Sequence, residues 1–117
     1  MKTFSISAAQ GEISIRKISE IPSHVQPLEK ERGKWIIGKS ETHHDHVLIA
    51  EEPRVFISTK TPDGMRILYA NLEAAAELVH ERGHDTHETI SFEPGIYEFR
   101  IGREYDPYAE LARQQMD

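Results

Sequence analysis

The stretch that decides the fold is residues 55–69, which read VFISTKTPDGMRILY. On both sides of Thr61-Pro62-Asp63-Gly64, apolar side chains recur at every second position, which is the period of a half-buried strand. The proline presets the first dihedral of a turn, the aspartate caps the turn, and the glycine accepts a positive φ. The stretch therefore predicts an antiparallel β-hairpin.

Further strand patterns lie on the N-terminal side of this hairpin. Residues 11–18 alternate between apolar and polar side chains, and the apolar runs 35–37 and 47–49 are each bounded by polar residues. Residues 20–33 contain two prolines, a glycine and a charged cluster, so we predict a loop there.

Residues 72–82 fit two different structures. Their apolar side chains fall at helical spacing, three consecutive alanines favour a helix, and Gly83 follows as a stop. The alternative is a strand, in which Leu78 and His80 share one face. We expect the helix.

The C-terminal part of the chain contains one more strand pair and a helix start. Residues 87–92 and 97–102 are strand-like on either side of Glu93-Pro94-Gly95, which predicts a second hairpin. Asp106-Pro107 is typical of an N-cap followed by proline at the first helical position, so a short C-terminal helix is expected after it.

These elements together predict a mainly β fold. Short strands separated by turn residues are typical of a small antiparallel sandwich or barrel, here of six to seven strands. A length of 117 residues suits one domain. We therefore expect a single β-rich domain over 1–117, with 1–10 and 108–117 at its periphery.

Composition excludes several function classes. With 14 Lys+Arg against 20 Asp+Glu, the net charge of −6 disfavours nucleic acid or an anionic membrane as a partner. The chain has no cysteine, which excludes disulfides, cysteine-ligated metals and thiol catalysis. Neither a bilayer-length apolar run nor a secretory signal is evident, so we expect a cytoplasmic protein.

The seven histidines are the strongest chemical signal. Six of them fall into two groups, at 43–46 and 80–87. On a strand, His44 and His46 project from the same face and can take adjacent positions around a metal ion. We predict that the second group completes a site for one divalent ion, with zinc favoured. The predicted ligands are His44, His46, His80 and His87.

The role of such an ion is open at this point. We favour a structural or binding role and assign no catalytic residue. An enzyme alternative keeps one coordination position for water, with Glu51 or Glu88 as the base. The same histidines could instead form a pH switch or a solvated surface. A further class of function is an interaction protein, either a virion component or an inhibitor of a host defence enzyme. Separately, an edge strand could pair with a second copy of the chain and form a homo-oligomer.

One short resemblance concerns the first cupin motif, a glycine followed by H-x-H and a glutamate. It is matched by Gly38, His44, His46 and Glu51. The resemblance implies a small jelly-roll barrel, with the two histidines and the glutamate as ligands of a catalytic metal. It covers residues 38–51, and no histidine follows His87 where the second cupin motif requires one.

A broader resemblance extends over residues 11–107. The chain resembles a family of small proteins from bacteriophages, prophages and bacterial genomes with the pattern T-G-H-x-H, L-x-H, H-x-x-I-x-L-x-P-G-x-Y and R-E-Y-x-P. The matching segments are Thr42-His43-His44-Asp45-His46, Leu78-Val79-His80, His87-Glu88-Thr89-Ile90, Pro94-Gly95-Ile96-Tyr97 and Arg103-Glu104-Tyr105-Asp106-Pro107. The resemblance implies a phage setting in the host cytoplasm, a host or phage protein as partner, and no particular activity.

Overall fold

The computed structural model describes residues 2–3, 7–10, 13–39, 45–62, 64–81 and 89–102. These residues form eleven β-strands and no helix, so the mainly β prediction is confirmed. The strands are β1 (Lys2–Thr3), β2 (Ser7–Gln10), β3 (Ile13–Ile18), β4 (Val25–Pro27), β5 (Trp35–Gly38), β6 (His46–Ile49), β7 (Arg54–Ser58), β8 (Arg66–Leu72), β9 (Ala76–His80), β10 (Ile90–Phe92) and β11 (Gly95–Ile101). The predicted C-terminal helix falls outside the described residues.

The strands form two sheets. The five-stranded sheet has the order β1-β10-β9-β6-β5, and the six-stranded sheet has the order β2-β3-β11-β8-β7-β4. All neighbouring strands are antiparallel except β1 and β10, which run parallel. Within the described part of the chain there is no helix that is long and apolar enough to cross a membrane.

One hydrophobic core is shared by the two sheets. Alternate residues of the strands, such as Leu48 of β6 and Leu68 of β8, point into it and are almost fully buried. The ring of Phe92, on β10, lies edge-on to Tyr97 of β11 with centroids 4.9 Å apart, and 5.8 Å from the ring of Phe99. Because β10 and β11 belong to different sheets, these aromatic contacts join the two layers. The fold is an antiparallel β-sandwich.

The hairpin predicted from residues 55–69 is confirmed as β7 and β8. The Met65 amide donates to the Pro62 carbonyl at 3.1 Å, so Pro62 is the first residue of the hydrogen-bonded turn, whereas the sequence predicts it as the second. Gly64 has a positive φ of 81°, in agreement with the prediction. Strand β8 is buried on both faces. Leu68 points into the shared core, whereas Tyr69 points away from it and is nevertheless 3% exposed.

The helix expected over 72–82 is wrong. Strand β8 ends at Leu72, and residues 76–80 form β9, which is paired with β6 on one side and β10 on the other. Hydrogen bonding along both edges and burial of Ala76 and Leu78 in the core outweigh the helix preference of alanine. The strand alternative is the correct one.

The second predicted hairpin is also wrong, although its strands exist. Strand β10 joins the five-stranded sheet, and β11 lies between β3 and β8 in the six-stranded sheet. The chain crosses between layers at Glu93-Pro94, and Gly95 follows with a φ of 156°. The crossing lets Phe92 and Tyr97 enter the core from opposite sides.

The loop expected over 20–33 contains one short strand, β4, at the edge of the six-stranded sheet. An edge position tolerates Pro27 because the missing amide hydrogen need not pair with a further strand. The predicted strands at 11–18, 35–37 and 47–49 correspond to β3, β5 and β6. The expected six to seven strands are too few because short edge strands carry little sequence signal.

Candidate functional site

Strand topology brings members of the two histidine groups together. His46 begins β6 and His80 ends β9. Because β6 and β9 are antiparallel neighbours, the start of one lies beside the end of the other, and His46 and His80 are register partners. The chain enters His46 from segment 40–44 and leaves His80 into segment 82–88.

The two imidazole rings are stacked. Their centroids are 4.0 Å apart and their planes differ by 15°. His46 is 8% exposed, while His80 is half-buried. His46 lies two residues from Leu48 and His80 two residues from Leu78, so each histidine shares the core face of the sheet with its leucine. The pair therefore occupies the end of the space between the two sheets.

Gly38 provides the space beside His46. Gly38 belongs to β5, the strand on the opposite side of β6 from β9, and is the register partner of His46 there. The pairing of β5 with β6 shifts in register between Ile36 and Gly38. A Cβ atom on Gly38 would lie 3.4 Å from Cδ2 of His46 and 3.0 Å from Cδ1 of Ile13. Ile13 belongs to the six-stranded sheet, so the imidazole sits in a closely packed junction between the layers.

The residues flanking the histidines are fixed by polar contacts. The Glu81 amide donates to the Asp45 carbonyl at 2.8 Å, which extends the β6–β9 ladder past the histidine pair. The Asp45 carboxylate is buried and accepts a hydrogen bond of 3.0 Å from Nη2 of Arg32. Nζ of Lys34 lies 2.9 Å from Oε2 of Glu81.

Arg32 and Lys34 come from one tight turn. Arg32 and Gly33 have φ values of 52° and 73°, and Glu31 and Lys34 exchange two backbone hydrogen bonds of 2.9 Å. Two successive positive φ angles are typical of the two-residue turns of hairpins. This turn could not be predicted from the sequence because arginine rarely adopts a positive φ, and Gly33 is the only residue of the pair that favours one.

The structure brings together two of the four predicted ligands, His46 and His80. His44 and His87 fall outside the described residues, as do His43 and His84. Among the residues that are described, no group of three or more histidine, aspartate or glutamate side chains is arranged to hold a metal ion.

The remaining candidates lie elsewhere or are not described. Glu51 comes two residues after Ile49, the last residue of β6, whereas His46 is the first, and the strand between them is about 10 Å long at its usual rise. Glu88, the other candidate base, is outside the described residues. His24 lies beside β4, where its carbonyl accepts a bond from the Thr59 amide. The geometry therefore separates Glu51 and His24 from the histidine pair.

Fold and site together define an antiparallel β-sandwich that carries a stacked histidine pair at one end. A family model described as Domain of unknown function (DUF8820) matches residues 9–102. The chain belongs to this family. No curated protein and no solved structure matches it.

Proposed function

We propose that this domain binds one divalent transition metal ion, with zinc favoured, through His46 and His80. His44 and His87 are the proposed further ligands, on the strength of the sequence alone. The observation that carries the proposal is the register pairing of His46 with His80, which joins one member of each histidine group. Neutral imidazole is a preferred zinc ligand, and a chain without cysteine offers no thiolate to compete with it.

Zinc coordination requires a rearrangement of the stacked rings. Tetrahedral zinc with bonds of 2.0–2.1 Å needs ligand nitrogens about 3.3 Å apart and ring planes that intersect at the ion. Nearly parallel rings do not meet that condition, so at least one ring must turn about its side-chain dihedrals. His80 is the more exposed of the two and has more room to do so.

The surroundings support a structural or binding role for the ion. Asp45 and Glu81, next to the two histidines, are held by the Arg32 and Lys34 ion pairs and by their own backbone bond. Ligands on a fixed backbone lose little conformational freedom when a metal binds. An ion shared by β6 and β9 would reinforce the end of the sandwich at which β6 begins and β9 ends.

The test is a zinc titration by calorimetry and thermal unfolding. His46→Gln and His80→Gln should each weaken zinc binding about tenfold or more, and His24→Gln is the matched control. At a hundredfold excess over the dissociation constant, zinc should stabilise the native protein by about 2.7 kcal/mol. Equal affinity in all four proteins, or no heat and no stabilisation in the native chain, would refute the proposal.

We also infer a phage or prophage setting, and with it the host cytoplasm and a host or phage protein as partner. The support is the sequence resemblance over residues 11–107, and the family match covers most of the same range. The setting is tested by whether genes for virion or prophage functions adjoin the gene for this chain. Consistent location among unrelated housekeeping genes would argue against it.

A further inference from the structure

The outer face of the six-stranded sheet carries a row of side chains that point away from the core. Phe56, Tyr69, Glu98 and Arg16 are successive register partners on β7, β8, β11 and β3. Tyr69 and Glu98 are 3% and 4% exposed, as buried as residues of the shared core. A carboxylate so deeply placed on an outer face requires charged partners, because an isolated buried charge is costly.

Two arginines supply those partners. Nε of Arg16 lies 2.9 Å from Oε1 of Glu98, and its Nη2 lies 3.3 Å from Oε2. Nε of Arg100, two residues along β11, donates to Oε1 at 2.8 Å. One buried carboxylate thus holds two guanidinium groups side by side.

Both guanidinium groups remain accessible from outside. The Arg16 side chain is 59% exposed and the Arg100 side chain 49%. Each guanidinium has five N–H donors. Glu98 engages two nitrogens of Arg16 and one of Arg100, which leaves outward donors on both.

Charge on this face opposes that of the whole chain. The outward positions of β3, β7, β8 and β11 carry Arg16, Arg54 and Arg100 against the single carboxylate of Glu98. The chain as a whole has a net charge of −6. The arginines are bordered by half-buried Ile18, Phe56 and Ile96, a mixture of arginine and apolar surface that is typical of protein interfaces.

We propose that Arg16 and Arg100, held by Glu98, anchor the carboxylates of an acidic protein segment on this sheet face. Guanidinium groups recognise carboxylates by paired hydrogen bonds, and their fixation by Glu98 reduces the entropy lost on binding. The half-buried apolar border favours a polypeptide over a nucleic acid, which would need a longer track of cations. This site is separate from the histidine pair.

The test is an NMR titration of ¹⁵N-labelled protein with a Glu- and Leu-containing peptide, compared with the same peptide carrying Gln for Glu. The acidic peptide should shift the Nε–Hε signals of Arg16 and Arg100 and the amides of β3 and β11. Arg100→Gln should weaken binding about tenfold, since the remaining Arg16 can still neutralise Glu98. Arg54→Gln, on the same face but without a bond to Glu98, should change affinity less than about twofold.

Several outcomes would overturn the proposal. The acidic peptide could cause no NMR shifts, both peptides could cause equal shifts, or the shifts could map to strands other than β3 and β11. Binding of inorganic phosphate or a short single-stranded DNA as tight as that of the acidic peptide would contradict an acidic protein partner and indicate a general anion site. An unchanged amide spectrum for Arg100→Gln outside β3 and β11 excludes misfolding as the cause of weaker binding.

Discussion

The imidazole rings of His46 and His80 stack across the β6–β9 ladder with their centroids 4.0 Å apart. The contact joins the first residue of one strand to the last residue of its antiparallel neighbour. It is made at the end of the sandwich interior, where Gly38 and Ile13 close the space beside His46. The packing around His46 therefore depends on the absence of a side chain at Gly38.

Substitution of Gly38 by alanine tests this packing. The new Cβ would lie 3.0 Å from Ile13 Cδ1, which is closer than ordinary contact, and 3.4 Å from the His46 ring, at the lower limit of ordinary contact. We expect Gly38→Ala to lower the free energy of unfolding by about 1–3 kcal/mol, as overpacking usually does. Urea denaturation measures the change. Gly102→Ala is the control, since its Cβ would meet no atom of the described residues within 4 Å. Equal effects of the two substitutions would contradict the account.

The two ion pairs of the Arg32-Gly33 turn should differ in strength. Arg32 contacts Asp45, whose side chain is 4% exposed, whereas Lys34 contacts Glu81, which is 38% exposed. We expect Arg32→Gln to destabilise the fold by about 1–2 kcal/mol, allowing for the exposure of Arg32 itself. Lys34→Gln should cost less than about 0.5 kcal/mol. Thermal unfolding of the two variants compares the pairs, and the reverse order would refute this interpretation.

Acid should weaken the fold through Glu98. Burial raises the pKa of its carboxyl, but the hydrogen bonds of Arg16 and Arg100 outweigh burial and hold the pKa below its ordinary value. A carboxyl with a lowered pKa in the folded chain stabilises the fold above its unfolded pKa. That contribution disappears as the pH falls through the folded pKa.

Glu98→Gln should accordingly destabilise the protein by about 1–2 kcal/mol at neutral pH. The difference from the native chain should shrink as the pH falls below about 4. Urea denaturation at neutral pH and near pH 3 provides the measurement, and exposed Glu20→Gln is the control, with little effect at either pH. A difference for Glu98→Gln that does not change with pH would show that its carboxylate charge is not what stabilises the sheet face.

Truncation of Phe92 should strongly destabilise the fold. Its ring contacts both Tyr97 and Phe99 across the two sheets, and it is 2% exposed. We expect Phe92→Ala to cost about 3–5 kcal/mol in the free energy of unfolding. Ile49→Ala, at a side chain that is 56% exposed, should change it by less than about 0.5 kcal/mol. A loss below about 1 kcal/mol at Phe92 would mean that the two sheets do not share one core.

Local chemistry made parts of the fold predictable. The hairpin of β7 and β8 follows from Pro62, Gly64 and the two-residue apolar period. The helix expected over 72–82 failed because alanine propensity is weak beside hydrogen bonding to two neighbouring strands. The second hairpin failed because a Pro-Gly pair indicates a change of direction and does not specify which sheet the chain joins next.

The candidate site, like the fold, could be predicted only in part. Clustering of histidines suggested that two separate segments meet, and the structure pairs His46 with His80. The sequence could not supply the register of β6 and β9, because pairing between distant strands is set by the packed core. The contacts of Arg32 and Glu98 were missed for the same reason, since each depends on a partner distant in sequence.

The most direct test of the account is NMR of protein labelled with ¹⁵N in its histidine rings, recorded during addition of zinc. We expect the imidazole nitrogens of His46 and His80 to shift together and to stop changing near one equivalent of zinc, with His24 unaffected. Unchanged signals from His46 and His80 at stoichiometric zinc would contradict a metal site at the histidine pair, as would shifts confined to other histidines.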